Sequence, residues 1–408
     1  MAQTFKPTRL ADLEQVVAWA VAEEQPLEVV GRGTKRGFGR PVEAHARLEL
    51  SEMSGVSMYE PEELVMSAGA GTPLIEIEAM LAERQQELAF EPADYGPLLG
   101  GPANGGSIGG TFACNLSGPR RVKAGAARDH LLGLQCVTGH GQVIKTGGRV
   151  VKNVTGYDLA KLLTGSFGTL AVMSHLTFKV LPAAPQATTL LIGGVDEPAL
   201  LELLRQAMGT SADVSAAAML PAPVAARSAV PEVAAAGEPI ACLRLEGTEP
   251  SVVYRLQALE RIVAHRRGLP ARRLETEPTR RLWREIRDCR LLDQGLPCLW
   301  RVSCPPSDGG RVALAAAELA PELLFDWAGG LVWIAHGAER EDGGAAPIRG
   351  ALAACGGHAT LVRAPEEMRR RVDVFEPQPT LLRNLAERVK RSFDPKGILN
   401  PGRMTAAY

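Results

Sequence analysis

Glycine is concentrated between residues 100 and 121, where GGPANGGSIGGTFACNLSGPRR contains seven of the chain's 43 glycines. Glycine loses more backbone entropy on folding than any other residue, but it allows positive φ and leaves its N–H group uncovered. Uncovered N–H groups arranged in a concavity bind anions such as phosphate or diphosphate. Ile108, Phe112 and Leu116 recur at four-residue spacing, which favours a packed segment over a floppy surface loop. The stretch therefore predicts a phosphate-binding backbone.

Another glycine loop, GRGTKRGFGRP at residues 31–41, follows the apolar segment LEVVG. A dinucleotide fingerprint, G-x-G-x-x-G, must open a helix, because the helix N-terminus binds the diphosphate. Here Arg36 takes the place of the third glycine, and ARLEL at 46–50 predicts a strand, so we exclude a Rossmann fold. Backbone N–H groups and Thr34 can still bind phosphate. Three basic residues of this loop are open to interpretation as solvated charges: Arg32, Lys35 and Arg36.

Composition narrows the class of protein. The 408 residues carry a formal net charge of −1 and only 5% aromatic residues, which argues against nucleic acid as the main partner. The N-terminus has charges where a signal peptide needs an apolar core, and no apolar run reaches membrane-spanning length. We expect a cytoplasmic protein, with a peripheral location at the inner membrane through a complex as the alternative. The seven cysteines contain no CxxC pair, so we expect buried thiols and no metal site.

Periodicity predicts an α+β chain of more than one domain. Helices are predicted over 8–24 and from about 74 to 84, and strands over 27–31, 46–50 and 88–92. After residue 186 the order is strand, helix, strand, then strand, helix, strand, which is typical of a ferredoxin-like unit. A looser repeat of that order spans 298–364. We predict three segments: a first domain at 1–184 that contains both glycine loops, an α+β cap or substrate domain at 185–380, and a C-terminal helix and tail at 381–408 that returns to the first domain.

Five motifs in order resemble a known family. They are the GRGT loop, SIGGTFACNLSG at 107–118, a GYDL segment, GSFGTLAV at 165–172 and FDPKGILNPGR at 393–403. Together they resemble the PCMH-type (vanillyl-alcohol oxidase-like) flavoproteins. More narrowly, the chain is similar to the shorter of the FAD-binding subunits of glycolate oxidase (glycolate dehydrogenase) complexes. The resemblance implies a PCMH-type two-subdomain FAD-binding fold followed by a ferredoxin-like α+β cap region.

The resemblance also implies which residues contact FAD. Gly31, Gly33 and Thr34 are expected along the diphosphate, and Asn400 is expected to return from the C-terminus. The second glycine stretch is expected to wrap the diphosphate and the flavin edge through Gly109, Gly110, Thr111, Asn115, Ser117 and Gly118. Backbone groups at the adenine end are expected from Gly168, Thr169 and Leu170. Neither glycine loop contains a histidine and Cys114 is expected to be a packed thiol, so the FAD is expected to be non-covalent.

Catalytic residues are less visible than cofactor-binding ones. Oxidation of a hydroxy acid needs a cation for the carboxylate and a base for the hydroxyl, while the flavin performs the redox step. Arg301, on an apolar strand, is the leading cation, although an ion pair or a contact with another protein chain would also explain it. His358 is the leading base, with a structural histidine as the alternative. The other candidates are Arg120, Arg121 and Arg363 for the carboxylate and His336 for the proton. Arg120 and Arg121 also belong to a basic cluster with Lys123 and Arg128, which could face FAD phosphates, an acidic partner or neither.

The chain lacks the H-G-x-G-D-G-N-x-H type of segment found in the larger relatives. The resemblance therefore implies a flavin subunit that converts glycolate, or another 2-hydroxy acid, to glyoxylate or its equivalent only within a complex. Its implied partners are a larger flavin subunit and an iron–sulfur subunit that takes the electrons. Two alternatives stay open: a non-catalytic scaffold with the flavin fold, and a stand-alone FAD oxidase of another small hydroxy acid or alcohol.

Overall fold

The computed structural model describes residues 3–148, 156–267 and 269–407. It contains two compact units. The first unit comprises Met1–Ser117, Gly125–Ala183 and Asp373–Tyr408, and the second comprises Gly118–Ala124 and Ala184–Val372. The first unit thus resumes at Asp373, ahead of the predicted return at 381. The short excursion Gly118–Ala124 into the second unit has no counterpart among the predicted segments.

The first unit contains three sheets. A parallel sheet has the order β1-β3-β2, a five-stranded antiparallel sheet has the order β4-β5-β9-β7-β8, and β10 pairs with β6. The strands are β1 Gln3–Phe5, β2 Leu27–Val30, β3 Ala46–Glu49, β4 Val56–Glu60, β5 Val65–Gly69, β6 Gln86–Glu87, β7 Leu131–Thr138, β8 Val143–Gly147, β9 Ala171–Lys179 and β10 Leu181–Pro182. The helices are Leu10–Ala22, Leu74–Ala82, Ile108–Ala113, Ala127–His130, Leu159–Leu163 and Thr380–Phe393.

One continuous core joins the two larger sheets of this unit. Leu13 and Val17 of the first helix pack with Leu27 and Leu48 of the parallel sheet, and the same core includes Phe178 of β9. The predicted helices and strands of this region are present, with one exception. The apolar run at 88–92 is not a strand: pairing ends at Glu87, and the run enters turns that place Phe90 in the core. A short apolar run fits a buried loop and a buried strand equally well.

The C-terminal segment is built around a buried ion pair. Lys390 Nζ donates to Asp394 Oδ2 at 2.6 Å, to the Thr169 carbonyl at 2.7 Å and to the Leu399 carbonyl at 3.1 Å. The same carboxylate accepts the N–H groups of Ile398 and Leu399. Every charge in this cluster is therefore hydrogen-bonded, which a buried ion pair requires to be tolerated. The chain then continues beside β2 through a parallel bridge between Leu27 and Leu399.

The second unit is one antiparallel sheet of eight strands in the order β14-β11-β13-β12-β16-β17-β15-β18. Its strands are β11 Gln186–Ile192, β12 Ala216–Leu220, β13 Ile240–Gly247, β14 Ala271–Leu274, β15 Cys298–Ser303, β16 Glu322–Asp326, β17 Leu331–His336 and β18 His358–Arg363. Its helices are Arg121–Ala124, Glu197–Met208, Ala222–Ala225, Pro231–Ala234, Glu249–Arg267, Thr276–Arg287, Gly309–Ala315, Ala345–Cys355 and Glu366–Arg371.

This sheet consists of two ferredoxin-like halves. Strands β11 to β14 lie in the order 4-1-3-2, and strands β15 to β18 lie in the order 2-3-1-4, so the two halves meet where β12 pairs with β16. The predicted unit and its looser repeat are both confirmed. β12 is buried along its whole length, as expected for a central strand whose sequence is Ala-Ala-Ala-Met-Leu. The region predicted as a loop after β12 instead contains two one-turn helices, at Ala222–Ala225 and Pro231–Ala234.

The cysteines follow their prediction in part. All seven are free, and four are buried, whereas Cys114, Cys304 and Cys355 are half-buried. Within the part of the chain that the structure describes, no group of His, Cys, Asp or Glu residues could hold a metal ion. Nor does any helix there have the length and apolarity needed to cross a membrane.

Substituting Lys390 tests the C-terminal ion pair. Lys390→Met leaves the Asp394 carboxylate buried without its cation, so we expect the free energy of unfolding to fall by about 3 kcal/mol, measured by urea denaturation. The matched control is Arg391→Met, because Arg391 is 75% exposed and pairs only across one helical turn; we expect a change below about 0.5 kcal/mol there. Equal effects of the two substitutions would refute the role given to the pair.

Candidate cofactor-binding cleft

A cleft in the first unit is formed where four separated segments meet. They are the loop after β2, the segment 107–114, the start of β9 with the preceding turn, and the C-terminal pair Asn400 and Arg403. Its empty volume is about 790 Å³, open to solvent. Apolar residues line part of it: Val29, Leu50, Ala70, Ala113, Phe167, Ala171 and Met173. The cleft thus combines an apolar wall with bare backbone, as sites for small organic cofactors do.

The loop after β2 takes its shape from Arg403. This guanidinium donates to the carbonyl oxygens of Lys35 at 2.7 Å, of Arg36 at 3.1 Å and of Arg40 at 3.3 Å. Gly33 has a φ of +78°, a conformation that favours glycine. Three carbonyls of one loop therefore converge on a single cation, which closes the loop into a fixed bend.

The second glycine segment lies directly against the first. A Cβ at Gly31 would lie 2.4 Å from Ser107 Oγ, and a Cβ at Gly109 would lie 2.6 Å from the Ala70 carbonyl oxygen. Ser107 in turn caps the helix Ile108–Ala113, because its hydroxyl accepts the Gly110 N–H at 3.3 Å. Glycine is required at 109 because a side chain would collide with the Ala70 backbone, whereas a side chain at 31 would displace the capping hydroxyl of Ser107.

Asn400 lines the cleft, but its side-chain amide is engaged by the protein backbone. Its Oδ1 accepts the Val29 N–H at 2.7 Å, and its Nδ2 donates to the Val29 and Phe167 carbonyls at 3.2 and 2.8 Å. Both amide protons are used in these bonds. Asn400 therefore positions β2 against the turn that contains Gly168, and its contact with FAD stays a prediction.

The other expected contact residues divide into two groups. Seven line the cleft: Gly31, Gly33, Thr34, Gly109, Gly110, Gly168 and Asn400. Six do not line it: Thr111, Asn115, Ser117, Gly118, Thr169 and Leu170.

The residues outside the lining have structural contacts instead. Thr111 and Thr169 are buried, and their hydroxyls donate to the Ser107 and Ser166 carbonyls. Asn115 and Ser117 accept backbone N–H groups of Arg128 and Ala127, which anchors the helix Ala127–His130. Leu170 is a core residue. Gly118 belongs to the second unit, where its carbonyl accepts the Trp327 indole N–H at 3.3 Å.

Polar residues beyond the expected ones also line the cleft, among them Arg403, Cys114 and Lys35. Arg403 is signalled only by its place after the N-P-G turn, and Cys114 was interpreted as a packed thiol although it lines the cleft. Burial raises the pKa of the Cys114 thiol, while the charges of Lys35 and Arg403 oppose that rise. The side chain of Lys35, which the sequence left open to interpretation as a solvated charge, lines the cleft. Arg36 pairs with Glu28 at 2.6 Å.

The cleft suits a dinucleotide-type cofactor on its own geometry. Side chains at Gly106 and Gly110 would project toward Lys35 Nζ, at 3.2 and 3.6 Å from their Cβ atoms, so bare backbone and a cation face the same space. Such a combination recognises phosphate. No histidine occurs among the described residues that line the cleft, and the absence of a covalent flavin bond stays a prediction.

A cationic cluster lies in the second unit around Trp327. The guanidinium carbons of Arg121 and Arg301 each lie 5.0 Å from the centroid of the Trp327 ring. Burial lowers the pKa of His358, and the nearby charges of Arg301 and Arg121 lower it further. The structure thus brings together the two leading catalytic candidates, Arg301 and His358, with Arg121 beside them.

The remaining candidates for substrate contact have structural roles. Arg120 pairs with Glu246 at 2.7 Å, and both side chains are largely buried. Arg363 donates to the Leu296 carbonyl at 2.8 Å and to Gln294 Oε1 at 3.1 Å. His336 is fully buried, with Nε2 at 3.0 Å from the Gly343 carbonyl oxygen.

Comparison with known proteins decides the family. A family model described as an FAD binding domain matches residues 1–147. The glycolate oxidase subunit GlcE of Escherichia coli (strain K12) is 33% identical over 395 residues, which cover 97% of this chain and 96% of the relative. The chain belongs to the GlcE family. FAD is its cofactor, and the GlcE-family chain is an FAD-linked oxidoreductase.

Two more distant matches concern a related subunit and the fold. Glycolate oxidase subunit GlcD of Bacillus subtilis (strain 168) is 29% identical over 217 residues, covering 53% of this chain and 43% of the relative. The crystal structure of p-cresol methylhydroxylase with substrate bound superposes with a TM-score of 0.74 at 16% identity, covering 99% of this chain and 89% of that one. The predicted PCMH-type fold of this GlcE-family chain is confirmed.

Adding a side chain at Gly110 tests the location of the cofactor. A Cβ there would lie 3.4 Å from Ser107 Oγ, so Gly110→Val keeps the backbone but fills the cleft beside Lys35. We expect the purified variant to lose its flavin absorbance while the second unit stays folded, checked by visible spectroscopy and limited proteolysis. Gly148→Val is the matched control, since nothing lies within 4 Å of a Cβ at Gly148. Retention of FAD by Gly110→Val would show that the cofactor binds elsewhere.

Proposed function

We propose that this chain is an FAD-bearing subunit of a glycolate-oxidising complex, which converts glycolate to glyoxylate and passes the electrons to a partner protein. The observation that carries the proposal is near full-length similarity to a glycolate oxidase subunit, combined with a cleft of the expected cofactor type. We further propose that the partners are an iron–sulfur subunit and a larger flavin subunit, and the GlcD likeness is the support for the latter.

The Trp327 cluster supports a site for the substrate carboxylate. Arginine binds carboxylates through a planar fork of N–H groups, and attraction to the face of an aromatic ring holds a guanidinium in place. Two such guanidiniums, those of Arg121 and Arg301, lie at one indole ring. We assign them to the carboxylate of a 2-hydroxy acid.

His358 fits the role of base. Oxidation of glycolate removes a hydride from Cα and a proton from the hydroxyl group, and bound FAD supplies the hydride acceptor. The lowered pKa keeps the imidazole neutral at pH 7, the form that can accept a proton. Arg121 and Arg301 lower the pKa of His358 and also bind the substrate carboxylate, so the same two charges keep the base neutral and hold the substrate.

The scaffold and stand-alone alternatives are separated by one set of spectra. The chain is purified alone and together with the larger flavin subunit and the iron–sulfur subunit, and glycolate is added without oxygen. We expect bound flavin in both preparations and bleaching of this chain's flavin only in the complex. Bleaching in the isolated chain would favour a stand-alone enzyme. A chain that never binds flavin, yet is needed for complex activity, would favour a scaffold.

Substituting Arg301 tests the carboxylate site. In the complex, Arg301→Met removes one charge-assisted contact, so we expect KM for glycolate to rise about 10- to 100-fold with a smaller change in kcat. His358→Gln should instead lower kcat, by about 100-fold. Arg311→Met is the control, because Arg311 is an exposed helix residue paired with Asp308. Unchanged kinetics in both test variants would place the substrate site outside this cluster.

A further inference from the structure

Lys35 is a charged residue of the glycine loop whose side chain lies in the cleft. Its Nζ would be 3.2 Å from a Cβ at Gly106 and 3.6 Å from a Cβ at Gly110, so it lies against two residues without side chains. The backbone of Lys35 is fixed at the same time: its carbonyl accepts N–H groups of Arg403 at 2.7 Å and of Phe38 at 3.0 Å. The loop therefore positions this ammonium instead of leaving it to move in solvent.

The ammonium lacks a close counter-charge in the protein. Among the described residues, none makes an ion pair or a hydrogen bond with Lys35 Nζ, and only Asp94 and Cys114 act on it electrostatically. Asp94 is engaged elsewhere, since its carboxylate accepts the N–H groups of Asn104 at 2.7 Å and of Gly96 at 3.1 Å. The Cys114 thiol has a raised pKa and is neutral at pH 7.

An ammonium in such a position is unfavourable without an anion. Burial lowers the pKa of Lys35, which shows that the protein does not compensate the charge fully. An ion removed from water needs a partner or hydrogen bonds to repay the loss of hydration. Gly106 and Gly110 place no side chain beside this ammonium, so the space next to it is open to an anion such as a phosphate oxygen.

We propose that the Lys35 ammonium binds the diphosphate of FAD directly. The bonds are charge-assisted, from Nζ to diphosphate oxygens, and they add to the backbone N–H groups of the two glycine segments. The inference rests on FAD binding and not on glycolate as substrate. It also explains why the loop tolerates an uncompensated lysine: the cofactor supplies the missing negative charge.

The test compares ligands with and without the diphosphate. Copurifying flavin is removed, and dissociation constants for FAD and riboflavin are measured by fluorescence for the wild type, Lys35→Met and the control Lys145→Met. Lys145 is a good control because it is an exposed lysine of β8 in the same unit. We expect Lys35→Met to weaken FAD binding about 10- to 100-fold and riboflavin binding less than about twofold, with no effect of the control.

A structural role for Lys35 would give a different result. Since Lys35→Met removes an uncompensated charge, the flavin-free variant should melt at the same temperature as wild type or higher, even though it binds FAD worse. Two outcomes would overturn the proposal. One is equal weakening of FAD and riboflavin binding. The other is wild-type affinity for FAD, and if a lowered flavin midpoint potential accompanied it, Lys35 would belong at the isoalloxazine.

Discussion

The cleft depends on hydrogen bonds from residues about 370 positions away in the sequence. Asn400 joins the Val29 strand to the Phe167 carbonyl, and Arg403 gathers three carbonyls of the first glycine loop. A glycine-rich backbone has no side chains with which to stabilise its own conformation and loses much entropy on ordering. The C-terminal segment supplies the missing constraint. Its own position is fixed by the buried Lys390–Asp394 pair, so the shape of the cofactor site follows from the D-P-x-x-x-L-N-P-G motif.

Helices and strands could be predicted from the sequence because the apolar periodicity of each segment matches the face that it buries in the fold. The 4-1-3-2 and 2-3-1-4 strand orders follow from two repeats of one helix and strand order, each with its own apolar periodicity. The strand predicted at 88–92 was wrong because a run of five mostly apolar residues is too short to show a helix or strand periodicity. The excursion Gly118–Ala124 was missed for another reason: it is held by single long-range bonds, such as Trp327 to Gly118, that leave no local pattern.

The glycines of the cleft were easier to predict from the sequence than its polar residues, and the chemistry of the two kinds of residue explains the difference. Glycines that line the cleft were found because glycine marks a special backbone, such as the close approach at Gly109 and the positive φ at Gly33. Polar residues near them were harder to interpret. Thr111, Asn115 and Ser117 occur in the motif because they secure the turn, and motif membership alone cannot separate that role from ligand contact. The interpretation of Lys35 stayed open because a charge in a loop is usually solvated, and only the position of its Nζ places it in the cleft.

Backbone strain in the second unit supports a functional origin for the Trp327 cluster. Trp327, Ala328 and Gly329 have φ values of 52°, 56° and 94°, and consecutive non-glycine residues rarely adopt this left-handed conformation. The turn is held by Asp326, whose carboxylate accepts the Trp327 N–H at 2.7 Å. Gly309 packs so closely that a Cβ there would lie 2.2 Å from the Gly329 carbonyl oxygen. Strain of this kind persists where the surroundings fix it and concentrates at binding and catalytic sites. The turn that joins β16 to β17 thus sets one indole ring beside the guanidiniums of Arg121 and Arg301, which gives the left-handed conformation a purpose.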